Sequence, residues 1–172
     1  FDESCGVIPD ELDADLFLGG VVYGNICIQI PENETDFLIF HEPFLSFNSQ
    51  DRKWMKAEEV ETVEAIFVIP TTGPFNETFA VGTSRSNPVR SGTTALTESG
   101  LGFKVVSVNL DAWPAVQAEN MFNDPSTPGR RFLLVTVSVT NISGGTEEVC
   151  VSETDFKLVG SESLLLSTFQ NG

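Results

Sequence analysis

The chain has a single histidine, His41, in the run LIFHEPF. A Ser-His-Asp triad would need this histidine as its base, but the sequence contains no Gly-x-Ser-x-Gly nucleophile motif. It also contains no His-Glu-x-x-His, no P-loop and no Gly-x-Gly-x-x-Gly. Because the surrounding run is apolar and typical of a strand, we interpret His41 as structural. We predict no catalytic residues and no enzyme activity.

Four acidic side chains fall within six positions of the segment PDELDAD: Asp10, Glu11, Asp13 and Asp15. Carboxylates at alternate positions suit Ca²⁺, but the spacing of a calcium-binding loop with its closing Glu is missing. A solvated loop is therefore favoured, and we predict no metal and no cofactor. With 25 acids in the chain, a glycosidase-type carboxylate pair stays open, because such a pair is defined by its separation in space.

The cysteines include no Cys-x-x-Cys pair, which argues against zinc and redox motifs; they are Cys5, Cys27 and Cys150. Cys150 is interpreted either as a small buried hydrophobe or as a link between subunits. Three sequons in polar surroundings favour an extracellular protein carrying N-linked glycans, with plain polar loops as the alternative; they begin at Asn33, Asn76 and Asn141.

The length and composition of the chain indicate how many domains it can form and which partners its charge disfavours. The chain has 172 residues, 41% of them hydrophobic, which is enough for one sizeable domain or two small ones. Its formal net charge of −16 repels phosphate backbones and anionic lipid heads, so we predict no nucleic-acid partner. No apolar run approaches the ~20 residues of a membrane span.

Alternation of apolar and polar residues dominates the pattern of elements. In residues 132–140 the side chains of Leu133, Val135, Val137 and Val139 share one face, which predicts a strand with one buried face. Facing core residues are predicted to be Phe103, Ile26, Ile28 and Phe156. Further strands are predicted at 21–30, 36–40, 44–47, 52–57, 103–110, 156–159 and 164–169.

One segment, DAWPAVQAENMF, reads instead as a short helix with Asp111 near its N-cap and Pro114 in its first turn. Short strands separated by turn signals, with one helix lying against them, predict an all-β, antiparallel sandwich.

The chain divides into three blocks: 1–60, 61–81 and 82–172. The middle block contains AIFVIP, which is apolar on both faces of a strand. It is interpreted either as a strand buried within its own domain or as an extended arm that lies in a groove on a neighbour.

The outer blocks resemble an Ig-like domain of unknown function found in secreted and surface-anchored bacterial proteins, whose fold is also seen in a mycobacterial immunoprotective antigen. Residues 82–172 resemble its N-terminal half through SRSNPV, VVSVNLDAW and AENMFNDPSTPGRRFLLVTVSVTN. Residues 1–60 resemble its C-terminal half through CGVIPDEL, GGVVYGNIC and the run from FLIFHEPFLSF to WMKA. The resemblance covers most of the chain. It implies an Ig-like fold and a disulfide between Cys5 and Cys27.

The order of the two halves is reversed relative to that family. Joining Gly172 to Phe1 would read without a seam, and the LLLSTFQNG end lacks the second strand of a hairpin. Three arrangements fit: one period of a tandem repeat, a subunit whose halves are completed by neighbouring copies, or a permuted chain that closes on itself. The first two build filaments. We favour contact between Gly172 and Phe1 of different units.

These patterns together predict a structural subunit or repeat of an extracellular filament or surface array, assembled by strand or arm exchange between copies. The predicted subunit interface consists of Ile66, Phe67, Val68, Ile69, Phe1 and Gly172. The alternative is a cell-surface ligand-binding or adhesion module for glycans or proteins. An exposed aromatic platform would favour that alternative, and the candidates are Trp54, Trp113 and Tyr23.

Overall fold

A computed structural model describes residues 5–42, 52–59, 82–145 and 148–168. The predictions for Phe1, the strand 44–47, the segment from Ile66 to Ile69, Asn76 and Gly172 lie outside these residues.

The described residues form ten strands in three sheets. In chain order the strands are β1 (Asp13–Leu16), β2 (Val21–Pro31), β3 (Leu38–His41), β4 (Trp54–Lys56), β5 (Ala95–Leu96), β6 (Leu101–Asn109), β7 (Arg130–Asn141), β8 (Val149–Ser152), β9 (Phe156–Val159) and β10 (Leu165–Ser167). One four-stranded sheet has the order β2-β7-β6-β5, and a second has the order β10-β9-β3-β4. A two-stranded sheet pairs β1 with β8. Every ladder between these strands is antiparallel, as predicted.

All three sheets combine strands from the two outer blocks of the sequence. β2 pairs with β7 along its whole length, from Val21 opposite Thr140 to Pro31 opposite Arg130. β3 pairs with β9, and β1 with β8. The expectation that neighbouring copies complete the two halves is therefore wrong for the described residues, because the halves complete each other within one chain.

The core lies between the two four-stranded sheets, where the predicted alternation of β7 is confirmed. Its inward-facing residues are all fully buried: Leu133, Val135, Val137 and Val139. The predicted facing residues lie in the same cluster: Phe103, Ile26, Ile28 and Phe156. Branched and aromatic side chains fill the space between the sheets, and burying each contributes on the order of 1.5–3 kcal/mol.

A second apolar cluster covers the outer face of the first sheet. The helix α1 (Trp113–Glu119) packs Val116 there beside Phe132, with Pro114 in its first turn as predicted. Its N-cap is Ala112, so Asp111 lies next to the N-cap as predicted, and no side chain caps the helix. At seven residues α1 is too short to be stable alone, so it depends on this packing.

The Cys5–Cys27 disulfide lies in the same cluster and ties the N-terminal segment to the middle of β2. The pairing implied by the family resemblance is present in the structure. No helix in the described part of the chain has the length and apolar character that crossing a membrane requires.

Candidate functional site

A groove of about 510 Å³ opens between the two four-stranded sheets, at the end where β2 and β6 finish and β7 begins. Residues from both sheets line it, among them Leu38 of β3 and Val108 of β6. Its apolar surface comes from Phe37, Leu38, Ala57, Pro88, Val108 and Leu110. The volume falls within the ~300–1,000 Å³ range of ligand pockets.

Two segments that are distant in sequence meet at the groove. Glu58 and Glu59 line it shortly after β4, and the Gly82 carbonyl accepts the Trp54 N–H of β4 at 2.7 Å. Arg85, three residues further on, lines the groove again.

Two arginines at the groove have no ion-pair partner among the described residues. Arg85 donates to Ser163 Oγ at 3.2 Å, and its guanidinium lies 5.9 Å from the centre of the Trp54 ring. Arg131 donates to the Glu34 carbonyl at 3.4 Å, and its buried Nε has no hydrogen-bond partner. The groove lining also carries four carboxylates, so it holds charges of both signs: Glu34, Asp36, Glu58 and Glu59.

A buried carboxylate fixes the wall of the groove. Glu34 is 1% exposed, and its Oε1 accepts from Ser161 Oγ at 2.7 Å and from the Glu162 N–H at 2.8 Å. Gly160 lies so close to this carboxylate that no side chain fits there. These bonds tie the turn between β9 and β10 to the segment that follows β2 and lines the groove.

The opposite end of the sandwich carries an exposed apolar surface that we call the end patch, made of Phe17, Leu18 and Ile142. These side chains are 62%, 60% and 51% exposed, respectively. The β1–β2 turn is held beside the end of β7, because the Gly19 N–H donates to the Asn141 carbonyl at 2.7 Å. The turn therefore presents its apolar residues in a fixed position.

Acidic residues lie on the strands and turns next to the end patch. Asp15 lies two positions before Phe17 on β1, and Glu148 directly precedes β8, which pairs with β1. Glu98 lies in the turn whose Gly100 carbonyl accepts the Ile142 N–H at 2.8 Å. The two ends of the sandwich thus differ in shape: one is a groove lined by apolar residues and charges of both signs, and the other is an exposed apolar surface.

The described sequons differ in exposure. Asn33 is exposed in the turn after β2 and is accessible to a glycan. Asn141 is fully buried, and its Nδ2 donates to the Leu16 carbonyl at 2.9 Å. The prediction of a glycan at Asn141 is therefore wrong for the folded chain, because the glycan would have to be attached to that nitrogen.

Burial shifts the pKa values of two titratable groups outside the groove, His41 and Glu153. His41 stacks 4.3 Å from Phe103, ring centre to ring centre, and burial lowers its pKa from 6.5 to about 4. The pKa of Glu153 is raised from 4.5 to about 7, first by burial and then by the charge of Glu11. The interpretation of His41 as a core residue is consistent with this burial among aromatic rings.

We expect the substitution Glu153→Gln to stabilise the protein at neutral pH and to have little effect at acidic pH. The folded carboxyl keeps its proton up to about pH 7, whereas the unfolded one loses it near pH 4.5. The free energy of unfolding of the parent therefore falls as the pH rises through that window. After allowing for solvent screening, the gain of the variant should reach about 1–2 kcal/mol above pH 7.

Urea unfolding at several pH values measures the difference between variant and parent. His41 changes the pH dependence of stability in the opposite sense, because its folded form stays neutral and the free energy of unfolding falls as the pH drops below 6.5. The difference between variant and parent is therefore more informative than either curve alone. The matched substitution Glu98→Gln, at an exposed carboxylate, should change stability by less than about 0.5 kcal/mol. If Glu153→Gln stabilises the protein equally at pH 4.5 and pH 8, the raised pKa of Glu153 is contradicted.

Cys150 is a free, exposed thiol on β8, so its interpretation as a buried hydrophobe is wrong. It lies opposite Asp15 across the β1–β8 pair, and the hydrogen bond and charge of Asp15 raise the pKa of the thiol. The raised pKa leaves less of the reactive thiolate at neutral pH.

Within the described ranges, no three His, Cys, Asp or Glu side chains come together to hold a metal ion. The PDELDAD segment contributes Asp13 and Asp15 to β1 as exposed residues, and the backbone of Asp10 has a positive φ of 45°.

The groove and the end patch were both missed from the sequence. The end patch had a signal, because Phe17 and Leu18 directly precede Gly19-Gly20, and apolar residues in a turn are unusual. The groove had none, since its lining residues are scattered from position 34 to position 131.

Comparisons with protein-family models, with curated proteins and with solved structures find no match to this chain.

Proposed function

We propose that this chain is a structural subunit or repeat of an extracellular filament or surface array, built by head-to-tail association of Ig-like sandwiches. The observation that supports this most is the difference between the two ends of the sandwich. One end has the apolar groove with Arg85 and Arg131, and the other has the end patch. Contacts between unlike surfaces build closed rings when the rotation between copies closes and open fibres when it does not.

The positions of the two surfaces favour linear growth. β2 and β7 run from one end to the other, with Val21 near the end patch and Pro31 near the groove. Eleven residues at about 3.3 Å each separate the two ends by roughly 35 Å. A contact between opposite ends would add each copy along the long direction of the sandwich.

An extracellular location is supported by two features. The buried Cys5–Cys27 disulfide is typical of proteins that fold in an oxidising compartment. The exposed sequon at Asn33 would accept a glycan there. We therefore propose copies of the same chain as the principal partner, with an N-linked glycan at Asn33.

We also propose contact between the arm of one copy and a neighbouring copy, which is narrower than the predicted strand or arm exchange. Because the two halves join within the chain, exchange is not needed to complete the sandwich. The apolar residues Ile66, Phe67, Val68 and Ile69 remain candidates for a contact with a neighbour, since the 22 residues 60–81 join two points that border the groove.

Sedimentation velocity at increasing protein concentration tests the proposed function. We expect the weight-average mass to rise without a plateau at the dimer, and electron microscopy to show rows of sandwiches at high concentration. A chain that stays monomeric up to a concentration on the order of 1 mM, or that stops at a closed dimer, would contradict the proposal.

Tyr23 favours a second candidate function, an adhesion module for glycans or proteins. It is 60% exposed on the outer face of β2, beside the polar Ser138 of β7. The other two candidates are half-buried, with Trp54 against Phe40 and Trp113 against Phe132. Changes in the NMR signals of Tyr23 on titration with a panel of oligosaccharides, absent in Tyr23→Ala, would support this candidate.

A further inference from the structure

We infer that His41 is an acid-sensitive contact between the two four-stranded sheets, and that uptake of a proton by its imidazole opens the packing between the sheets around this residue. This response of the fold to acid does not depend on the proposed function.

The imidazole of His41 lies where the two sheets touch. His41 is the last residue of β3 in the second sheet and is only 4% exposed. Its ring stacks on Phe103 of β6 in the first sheet, with the ring centres 4.3 Å apart, and meets Phe156 of β9 at 5.2 Å. Phe103 and Phe156 contact each other edge to face at 5.6 Å, so the three rings form one aromatic contact across the core. A charge on the imidazole would therefore act directly on the contact between the sheets.

A protonated His41 would have no acceptor for the hydrogen on its Nδ1. This nitrogen is buried and has no hydrogen-bond partner in the part of the chain that the structure describes. Both nitrogens of an imidazolium are donors, and a buried donor without an acceptor adds to the cost of burying the charge. Stacking on a phenylalanine favours a cation weakly, but burial outweighs this attraction and lowers the pKa of His41 from 6.5 to about 4.

The charged groups next to His41 do not offset a charge on its ring. Glu42 directly follows His41, but its two carboxylate oxygens bond to Arg52 and Lys157. Lys53 directly precedes β4, the strand that pairs with the other edge of β3, and is fully buried. A lysine ammonium carries donors only, so it cannot accept from an imidazolium.

The other elements packed around the ring bring no described carboxylate to it. In the short helical turn before β9, Asp155 accepts the Ser152 N–H at 2.9 Å, and Glu153 lies near Glu11, whose charge helps to raise its pKa. On β6, Lys104 follows the stacked phenylalanine and so points to the opposite face of the sheet. β5, which pairs with β6, has no charged residue. Desolvation of the imidazolium is therefore not compensated by these elements.

Acid should weaken the fold through His41. In the unfolded chain the imidazole takes up a proton near pH 6.5, whereas in the folded chain it does so only near pH 4. The stabilisation by the neutral folded ring is fully present above pH 6.5 and is lost as the pH falls toward 4. Over this window the ratio of folded to unfolded molecules should fall by about 100-fold through His41 alone.

Proton NMR of the intact protein tests the inference directly, because the chain has one histidine and its imidazole signal is unambiguous. At about pH 5.5 an exposed histidine is mostly protonated, but we expect the His41 signal to keep the position of a neutral ring. Below about pH 4.5 the signals of His41 and of the Phe103 ring should change together as the contact opens. A histidine that titrates near its ordinary pKa while the Phe103 signals stay unchanged would overturn the inference.

The substitution His41→Phe keeps a ring in the aromatic contact and removes the titrating group. Urea unfolding at pH 7 and pH 4 gives the ratio of folded to unfolded molecules for variant and parent. Between these pH values the ratio should fall about 100-fold further in the parent, and the effect of Glu153 cancels because both proteins contain it. Equal falls would overturn the inference. If the phenylalanine distorts the core, the NMR titration of the parent decides alone.

A matched control moves the histidine to the surface. In the double variant His41→Phe, Val21→His the imidazole occupies a position of β2 that is 51% exposed, so its pKa should stay near the ordinary value of a histidine. The pH dependence of its stability should equal that of His41→Phe.

Amide hydrogen exchange locates the opening. Between pH 6 and pH 4, after correction for the intrinsic rates, exchange in β3 and β6 of the parent should accelerate at least about tenfold more than in β2. Both variants should lack this difference. Equal acceleration in β2, β3 and β6 of the parent would show that acid acts on the whole domain, and the inference would be overturned.

Discussion

Replacing Val137 with aspartate is expected to unfold the protein at room temperature. Val137 is fully buried in the middle of β7, opposite Val105 on one side and Gly24 on the other. A carboxylate at this position would lie between the two sheets without a partner, which costs several kcal/mol. Domains of this kind are stable by only ~5–15 kcal/mol, so a cost that matches the whole stability of the domain leaves the unfolded form predominant.

The control for this substitution is Val21→Asp, the same change at a residue of β2 that is 51% exposed. It should melt within a few degrees of the parent, because its carboxylate remains in water. Far-UV circular dichroism and the melting temperature measure both variants. A Val137→Asp protein with the melting curve of the parent would show that β7 does not face the core as described.

The sequence predicts the centre of this fold well because the hydrophobic pattern of long strands repeats many times. Every second residue of β7 from Leu133 to Val139 is apolar, and the same holds for β2 from Ile26 to Ile30, so the inward faces of both strands are readable. Both strands extend one or two residues beyond the predicted ends, since backbone pairing continues after the pattern stops.

Three strands were not predicted, and each has a physical reason. β1 reads DADL and has mainly exposed residues, so its sequence resembles a solvated loop. β5 has two residues and β8 has four, too few for a period to be recognised. β1 and β8 also depend on each other across more than 130 positions of sequence, from Asp13 opposite Ser152 to Leu16 opposite Val149.

The candidate surfaces were harder to predict than the strands, because each is formed by residues that are far apart in the sequence and meet only in the folded chain. Glu34 gave no signal as one acid among 25, yet its position beside Gly160 and Ser161 makes it a buried wall of the groove. Asn141 was misread for the same reason. Its sequon is a local pattern, whereas the burial of its side chain is decided by Leu16 on another strand.

Removing the Cys5–Cys27 disulfide is expected to give the second large effect. The bond closes a loop with a sequence separation of 22 residues, and the chain-entropy model assigns about 3 kcal/mol to such a loop. With a urea dependence of ~1–3 kcal/mol per molar, the midpoint of unfolding should fall by roughly 1–3 M in the double variant Cys5→Ala, Cys27→Ala. Addition of a reductant to the parent should lower the midpoint similarly.

Cys150→Ala is the matched control, because it removes the one described cysteine that is free and exposed. It should leave the midpoint unchanged and should remain sensitive to the reductant. A double variant with the midpoint of the parent would contradict a stabilising role for the disulfide.

The loss of stability in the double variant should also differ between parts of the molecule. The disulfide packs with Ile8, Val116 and Phe132, and this cluster holds the short α1 against the first sheet. α1 has no side-chain cap and too few residues to form alone, so it should open before the sandwich does. Amide hydrogen exchange in the double variant should therefore accelerate most between residues 112 and 120, while β6 and the inward-facing half of β7 keep their protection. Equal acceleration in α1 and β6 would instead mean that the disulfide stabilises the whole domain through the unfolded chain alone.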